Sequence, residues 1–413
     1  MIKHVLDSVF SAFARARSSQ SGLSSHWRQI GVVTVLFLLP LVSIPFVDAA
    51  NPEEIWTPLA SWPGASVVSL IRAGRSDDTS ILYAAGPASS LMVSADQGAT
   101  WERSVIPTEP GLLGVLRIVD LAINPARPTE AYAAVEPSEG ALRPMLYSTR
   151  DGGLNWGVQS ALGPMRVAAI AYEPRGGDLY VIAGGDVLKL DAETASDDSP
   201  MAGNGGVQPI SSIDATAPIT SFQVGVGSAG GAQGAAHLLY VGSRRGLAAI
   251  ADTDEGARLL PWAEDPDTEY IREQAYIHAI CIVPDLADVV CVGTDQGVFA
   301  SSDAGRTWYR TAYELRDRRV LSLLWDPRAE AIFAGVAGAG LYCSHDNGTT
   351  WRAENAGLAR RSGMGLAIVQ PAGAGDTLDE GMLLAATNDG IWQRPVSSLR
   401  GRVSDGAAKP GNG

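Results

Sequence analysis

The chain has 413 residues, 46% of them hydrophobic, with 46 glycines and 24 prolines. This composition suits many short strands joined by tight turns and is far too apolar for a disordered chain. The formal net charge of −14 excludes nucleic acid as a partner, because a phosphate backbone would repel so acidic a body.

In chain order, the first elements are a basic segment, residues 1–29, and an apolar segment, residues 30–49. The run 30–47 carries no charge and sits at the lower length limit for a membrane-spanning helix. Lys3, Arg15, Arg17 and Arg28 precede it against the single Asp7, the charge bias of a cytoplasmic flank. Val47, Asp48, Ala49 and Ala50 resemble a signal-peptidase site, while Pro40 and Pro45 weaken a permanent helix. The segment reads either as a cleaved signal peptide or as a retained membrane anchor, and residues 8–28 add a weaker transit-peptide character. Cleaved signal and anchor both export the remainder.

From residue 51 onward the chain repeats. The motif Ser/Thr-x-Asp-x-Gly-x-Thr/Asn-Trp occurs four times, centred on Asp96, Asp151, Asp303 and Asp346 and closing on Trp101, Trp156, Trp308 and Trp351. Each copy follows an apolar strand–turn–strand, and the same pair recurs without the motif at 179–190, 239–250 and 383–392. A further apolar strand, usually closed by proline or glycine, lies upstream of every copy. One marker per copy, Tyr83, Tyr132, Tyr180, Tyr240, Cys291, Phe333 and Leu384, advances in steps of 42–60 residues, the length of a four-stranded blade with its turns. The longest step holds two Gly/Ser/Ala/Asp-rich stretches, 196–217 and 227–236, that read as surface loops.

The pattern predicts an all-β fold: a single seven-bladed β-propeller over residues 51–396, followed by a flexible tail, 397–413. The seventh copy lacks its last strand, and residues 55–61 resemble one. An N-terminal strand is therefore expected to close the ring and cover two otherwise open sheet edges. Cys281 and Cys291 flank a short turn and are expected to face each other as buried thiols, because cross-strand neighbours are seldom bridged with good geometry. Cys343 has no obvious mate.

If the strands of a blade are numbered one to four from the channel outward, each motif is a three-to-four turn on one rim, here called lower. Asp96, Asp151, Asp303 and Asp346 are expected to be structural. The carboxylate accepts N–H groups of its own turn, the glycine supplies a backbone conformation barred to other residues, and the tryptophan packs between sheets. One aspartate per site offers too few oxygens for calcium. No metal, cofactor or catalytic residue is expected. The upper face collects arginines: Arg244 and Arg245 in a two-to-three turn, and Arg316, Arg318, Arg319, Arg360 and Arg361 in blade-to-blade connections. On an acidic chain they mark a partner-binding site for an acidic protein segment. The alternative is a solvated ion network with Glu314, Asp317 and the acidic run 264–273.

The four motifs resemble the Asp box, or BNR repeat, of sialidase-like propellers, and the resemblance extends over essentially all of the chain after residue 50. A sialidase is disfavoured, since that family uses six blades, and the strand before the first box here reads Ser69, Leu70, Ile71, Arg72, Ala73, Gly74. In blade count, single ring and exported location the chain is most similar to the photosystem II assembly or stability factors, from which it departs in its acidic excess and its decayed third and fourth boxes. That resemblance implies a non-catalytic, monomeric protein presenting an arginine patch to a protein client such as a membrane protein, with membrane contact through the N-terminal segment if it is uncleaved. The alternative is a glycosidase or carbohydrate-binding propeller, for which Asp295 and Asp389 are the upper-face carboxyl candidates.

Overall fold

The computed structural model describes residues 55–399, apart from inter-strand stretches of which the longest are 60–69, 108–115, 192–206, 228–235 and 370–380. These residues belong to one unit, Asn51–Gly413. The basic and apolar N-terminal segments and residues 400–413 lie outside them. The tail expected from residue 397 starts later, because Val396–Leu399 form a 3₁₀ turn whose Leu399 is fully buried at the interface of blades six and seven. No described helix is long and apolar enough to cross a membrane.

The described strands form seven four-stranded antiparallel sheets. Blades one to six each take four consecutive strands, from Leu70–Arg75 in blade one to Arg352–Ala353 in blade six. Blade seven takes Gly363–Val369, Met382–Thr387 and Gly390–Pro395, and its outer strand is Thr57–Pro58 from the other end of the chain. Thr57 pairs with Gln393 and Pro58 with Trp392, and the Leu59 N–H donates to Ile391 O at 2.8 Å. Inner strands of successive blades adjoin all the way round, including blade one against blade seven. The ring is closed.

The period-two alternation of a strand explains how the ring holds together. Each blade is apolar on both faces, so successive residues of one strand serve different neighbours. Ile81, Tyr83 and Ala85 pack against blade two, whereas Leu82 and Ala84 pack against blade seven. Likewise Ala331 and Phe333 face blade seven, and Ile332, Ala334 and Val336 face blade five. Seven apolar clusters result, one at each blade–blade interface. At about 1.5–3 kcal/mol for each fully buried large side chain, these interfaces dominate the stability.

The four motif aspartates sit in three-to-four turns on the lower rim. Asp303 Oδ1 accepts from Ser301 Oγ at 2.8 Å and from the Thr307 N–H at 2.9 Å, and its Oδ2 accepts from Thr307 Oγ1 at 2.7 Å. The Ser301 hydroxyl in turn accepts the Gly305 N–H at 2.8 Å. The same pattern recurs at Asp96, Asp151 and Asp346. Gly305 has φ 87° and Gly348 φ 85°, in the left-handed region where a Cβ is strained. The turns also join blades: Tyr240 OH of blade four donates to Ala304 O in the turn of blade five at 2.9 Å. Blade four lacks the motif, and there Tyr180 OH of blade three donates to Asp252 Oδ2 and meets His237 Nδ1, both at 2.8 Å.

Cys281 and Cys291 are directly opposed in register, and all three cysteines are buried free thiols. Burial pushes the Cys281 thiol up to about 12, which leaves it unreactive near neutrality.

Candidate functional site

The antiparallel order of each blade sends its two-to-three turns and blade-to-blade connections to the face opposite the aspartate turns. Arg244 and Arg245 lie between Ala236–Ser243 and Gly246–Thr253, a two-to-three turn. Arg316, Arg318 and Arg319 lie in the connection from blade five to blade six. All five are exposed. Arg360 and Arg361 fall outside the described residues, as does Asp389.

The connection that carries Arg316, Arg318 and Arg319 is firmly seated. It opens with a 3₁₀ turn, Tyr313–Leu315, whose Leu315 is fully buried. The Asp317 N–H donates to Gln296 O in the neighbouring turn of blade five at 3.2 Å, and the Ala337 N–H of blade six donates to Arg319 O at 2.9 Å. Gly297 makes this seat possible. Its φ is 112°, and a Cβ there would meet Leu315 O at 2.6 Å. The arginines therefore stand on a backbone clamped from two blades, and Tyr313, 84% exposed, stands beside them.

Arg319 Nε donates to Asp295 Oδ1 at 2.7 Å, and the same oxygen lies 2.8 Å from His278 Nε2. Burial works to raise the Asp295 carboxyl, but the His278 and Arg319 contacts outweigh it and hold the group below its ordinary value. His278 stacks on Tyr276 with ring centroids 4.2 Å apart, and the Arg244 guanidinium lies 5.5 Å from the Tyr276 centroid. One polar chain thus runs Arg244, Tyr276, His278, Asp295, Arg319 across blades four, five and six. Among the described residues Arg245, Arg316 and Arg318 form no ion pair.

The expected network with Glu314, Asp317 and the run 264–273 takes a different form. Asp317 pairs with Arg310 at 2.9 Å, and Glu273 pairs with its neighbour Arg272. The face also bears arginines that the sequence pattern did not single out. Arg117 of blade two, 2.6 Å from Glu136, shares that carboxylate with Arg166 at the start of blade three. Their signal was hidden because each is a single arginine at the mouth of an inner strand, not a run.

The inner strands enclose a channel of about 450 Å³ lined by all seven blades. In six of them a β-bulge interrupts the register near the upper end, between Ile277 and Ala279 in blade five and at the matching place in blades two to four, six and seven. A bulge re-aims the inserted side chain, and in blade five that residue is His278. On the opposite wall, burial raises the Asp120 carboxyl despite Arg72 at 3.5 Å and the Ile170 and Leu121 N–H groups. Among the described residues no His/Cys/Asp/Glu group of three or more could hold a metal ion.

Seven four-stranded blades around a channel, closed by a strand from the N-terminal end, define a single-ring seven-bladed β-propeller. Among solved structures the chain is similar in fold to YCF48 bound to D1 peptide, with TM-score 0.54 and 16% identity over 88% of this chain and 98% of that one. It is likewise similar to YCF48 from Cyanidioschyzon merolae, with TM-score 0.52 and 17% identity over 83% and 99% of the two chains. A third similar structure is PorZ, an essential bacterial surface component of the type-IX secretion system of Porphyromonas gingivalis, with TM-score 0.56 and 19% identity. That match covers 82% of this chain and 48% of PorZ. No family model and no curated protein matches the sequence. At these identities the likeness is one of fold.

Proposed function

We propose that this chain is an exported, non-catalytic propeller that binds a protein client through the upper face of blades four to six and serves in the assembly of a membrane complex. The observation that carries the reading is the clamped connection 313–319. It presents an exposed tyrosine beside Arg316 and Arg318, whose guanidinium groups are held by no carboxylate among the described residues. Tyrosine and arginine are the side chains enriched where binding energy concentrates, and a pre-seated backbone lowers the ordering cost of association. Arginine forks match carboxylates bidentately, so the fitting client segment is acidic. The fold likeness to YCF48 bound to D1 peptide supports a peptide-binding use of such a ring, and the apolar run 30–47 supports export.

The test is capture of solubilised membrane proteins by the propeller, comparing Arg316→Glu and Arg318→Glu with Arg306→Glu on the lower rim. Reversal at 316 and 318 is expected to weaken capture at least about tenfold, with a steep dependence on salt. The lower-rim change is expected to leave capture intact. Equal losses from both faces would refute the assignment.

A further inference from the structure

We infer that Asp295 is an internal carboxylate seated in the anion site of this face, which an acidic client segment displaces on binding. The inference rests on the arginine-face reading above and adds to it a built-in competitor.

Three observations lead there. A single oxygen, Asp295 Oδ1, lies within 2.8 Å of two donors from different elements: His278 Nε2 in the blade-five bulge and Arg319 Nε in the connection to blade six. The Asp295 side chain is 37% exposed and that of Arg319 59% exposed, so solvent and a ligand can reach the pair. Arg319 belongs to the same short connection as Arg316 and Arg318, the arginines without an ion-pair partner among the described residues. A client carboxylate engaging Arg316 and Arg318 therefore meets a third guanidinium already held by the protein's own acid.

The turn itself does not demand an acid at this place. Asp295 follows Thr294 in a turn whose Thr294 Oγ1 donates to Gly297 O at 2.9 Å. The matching turns of blades four and seven are built alike, with Ser243 Oγ on Gly246 O and Thr387 Oγ1 on Gly390 O. At the position of Asp295 these turns carry Arg244 and Asn388. The backbone accepts a cation, an amide or a carboxylate, so the acid at 295 is not a requirement of the turn. Exposed ion pairs are weak, which suits a contact that must be exchanged for one with a ligand.

The experiment uses a labelled oligoglutamate peptide as probe and the whole propeller as binder, with dissociation constants measured at low salt. Asp295→Asn, which the matching Asn388 shows the turn accommodates, and Asp295→Ala are each expected to tighten binding about threefold or more. Glu136→Gln removes the same charge on the same face but in blade two, where it holds Arg117 and Arg166, and is expected to change affinity less. Weakened or unchanged binding in both Asp295 variants overturns the inference, as does equal tightening by Glu136→Gln, which would mean a general charge effect. Failure of the wild-type protein to bind, not remedied by Asp295→Asn, overturns it too. Reversal of Arg316 and Arg318 separates the two readings: if it leaves oligoglutamate binding intact, the arginine face itself is refuted.

Discussion

At the scale of single residues, the four motif aspartates owe their low carboxyl values to their own turns. At Asp96 the Thr100 hydroxyl and N–H lower the carboxyl, while at Asp303 burial opposes a lowering by the Thr307 N–H and hydroxyl that prevails. A carboxylate held below its unfolded value adds stability that is complete above the unfolded pKa, about 3.9, and is lost as pH falls through the folded value. The melting temperature is therefore expected to be level near neutrality and to drop steeply below about pH 4. Asp303→Ala, with Asp303 half-buried between blades, is expected to cost about 1–2 kcal/mol in urea unfolding and to flatten part of that acid limb. Client capture should survive, because the turn lies on the rim away from the arginines. Loss of capture in a variant that melts normally would contradict a structural role.

At the scale of elements, the closing strand has only two paired residues, Thr57 and Pro58, yet its anchor is deep. Trp56 is 1% exposed, and its indole N–H donates to Glu354 O at 2.9 Å. Glu354 also holds Arg394 of blade seven in a buried ion pair at 3.1 Å, with side-chain exposures of 8% and 3%. Trp56→Ala is expected to cost about 3–5 kcal/mol through the cavity and the orphaned carbonyl. Glu354→Ala is expected to cost about 1–3 kcal/mol by taking one carboxylate from the buried Arg394 guanidinium, which keeps the Ser398 hydroxyl as an acceptor at 3.0 Å. Calorimetry checks both, and a melting temperature unchanged in Trp56→Ala would contradict closure through this strand. The sequence marks the strand by its likeness to a post-motif segment. It does not mark the Glu354–Arg394 pair, because residues 40 positions apart in neighbouring blades meet only when blade six packs on blade seven.

At the scale of the whole molecule, every blade buries both faces against a neighbour, so no blade has a core of its own. Residues 51–399, which keep the buried Leu399, are expected without the first 50 to unfold in one cooperative transition and to run as a monomer in light scattering. Stepwise melting of separate blades would show that the interfaces are weaker than their burial suggests. The upper face follows from the same closed topology, since one strand order repeated seven times sends every two-to-three turn to one side.

The amino-acid sequence by itself determined the number of blades, the strand order, the rim on which Asp96, Asp151, Asp303 and Asp346 lie, and the face that bears Arg244, Arg245, Arg316, Arg318 and Arg319. These properties are periodic and local, written into each unit by alternating apolar residues and by glycine at fixed places in its turns. The tertiary structure alone decided which charges are spent on each other. Arg319 and His278 both meet Asp295, Arg310 meets Asp317, and Arg117 and Arg166 share Glu136, because each contact spans a turn or a blade boundary whose width the packing sets. The marker tyrosines divide in the same way. Tyr180 and Tyr240 are legible as one repeated position, but that one ties to His237 and Asp252 and the other to Ala304 depends on what the next blade brings within reach of the hydroxyl.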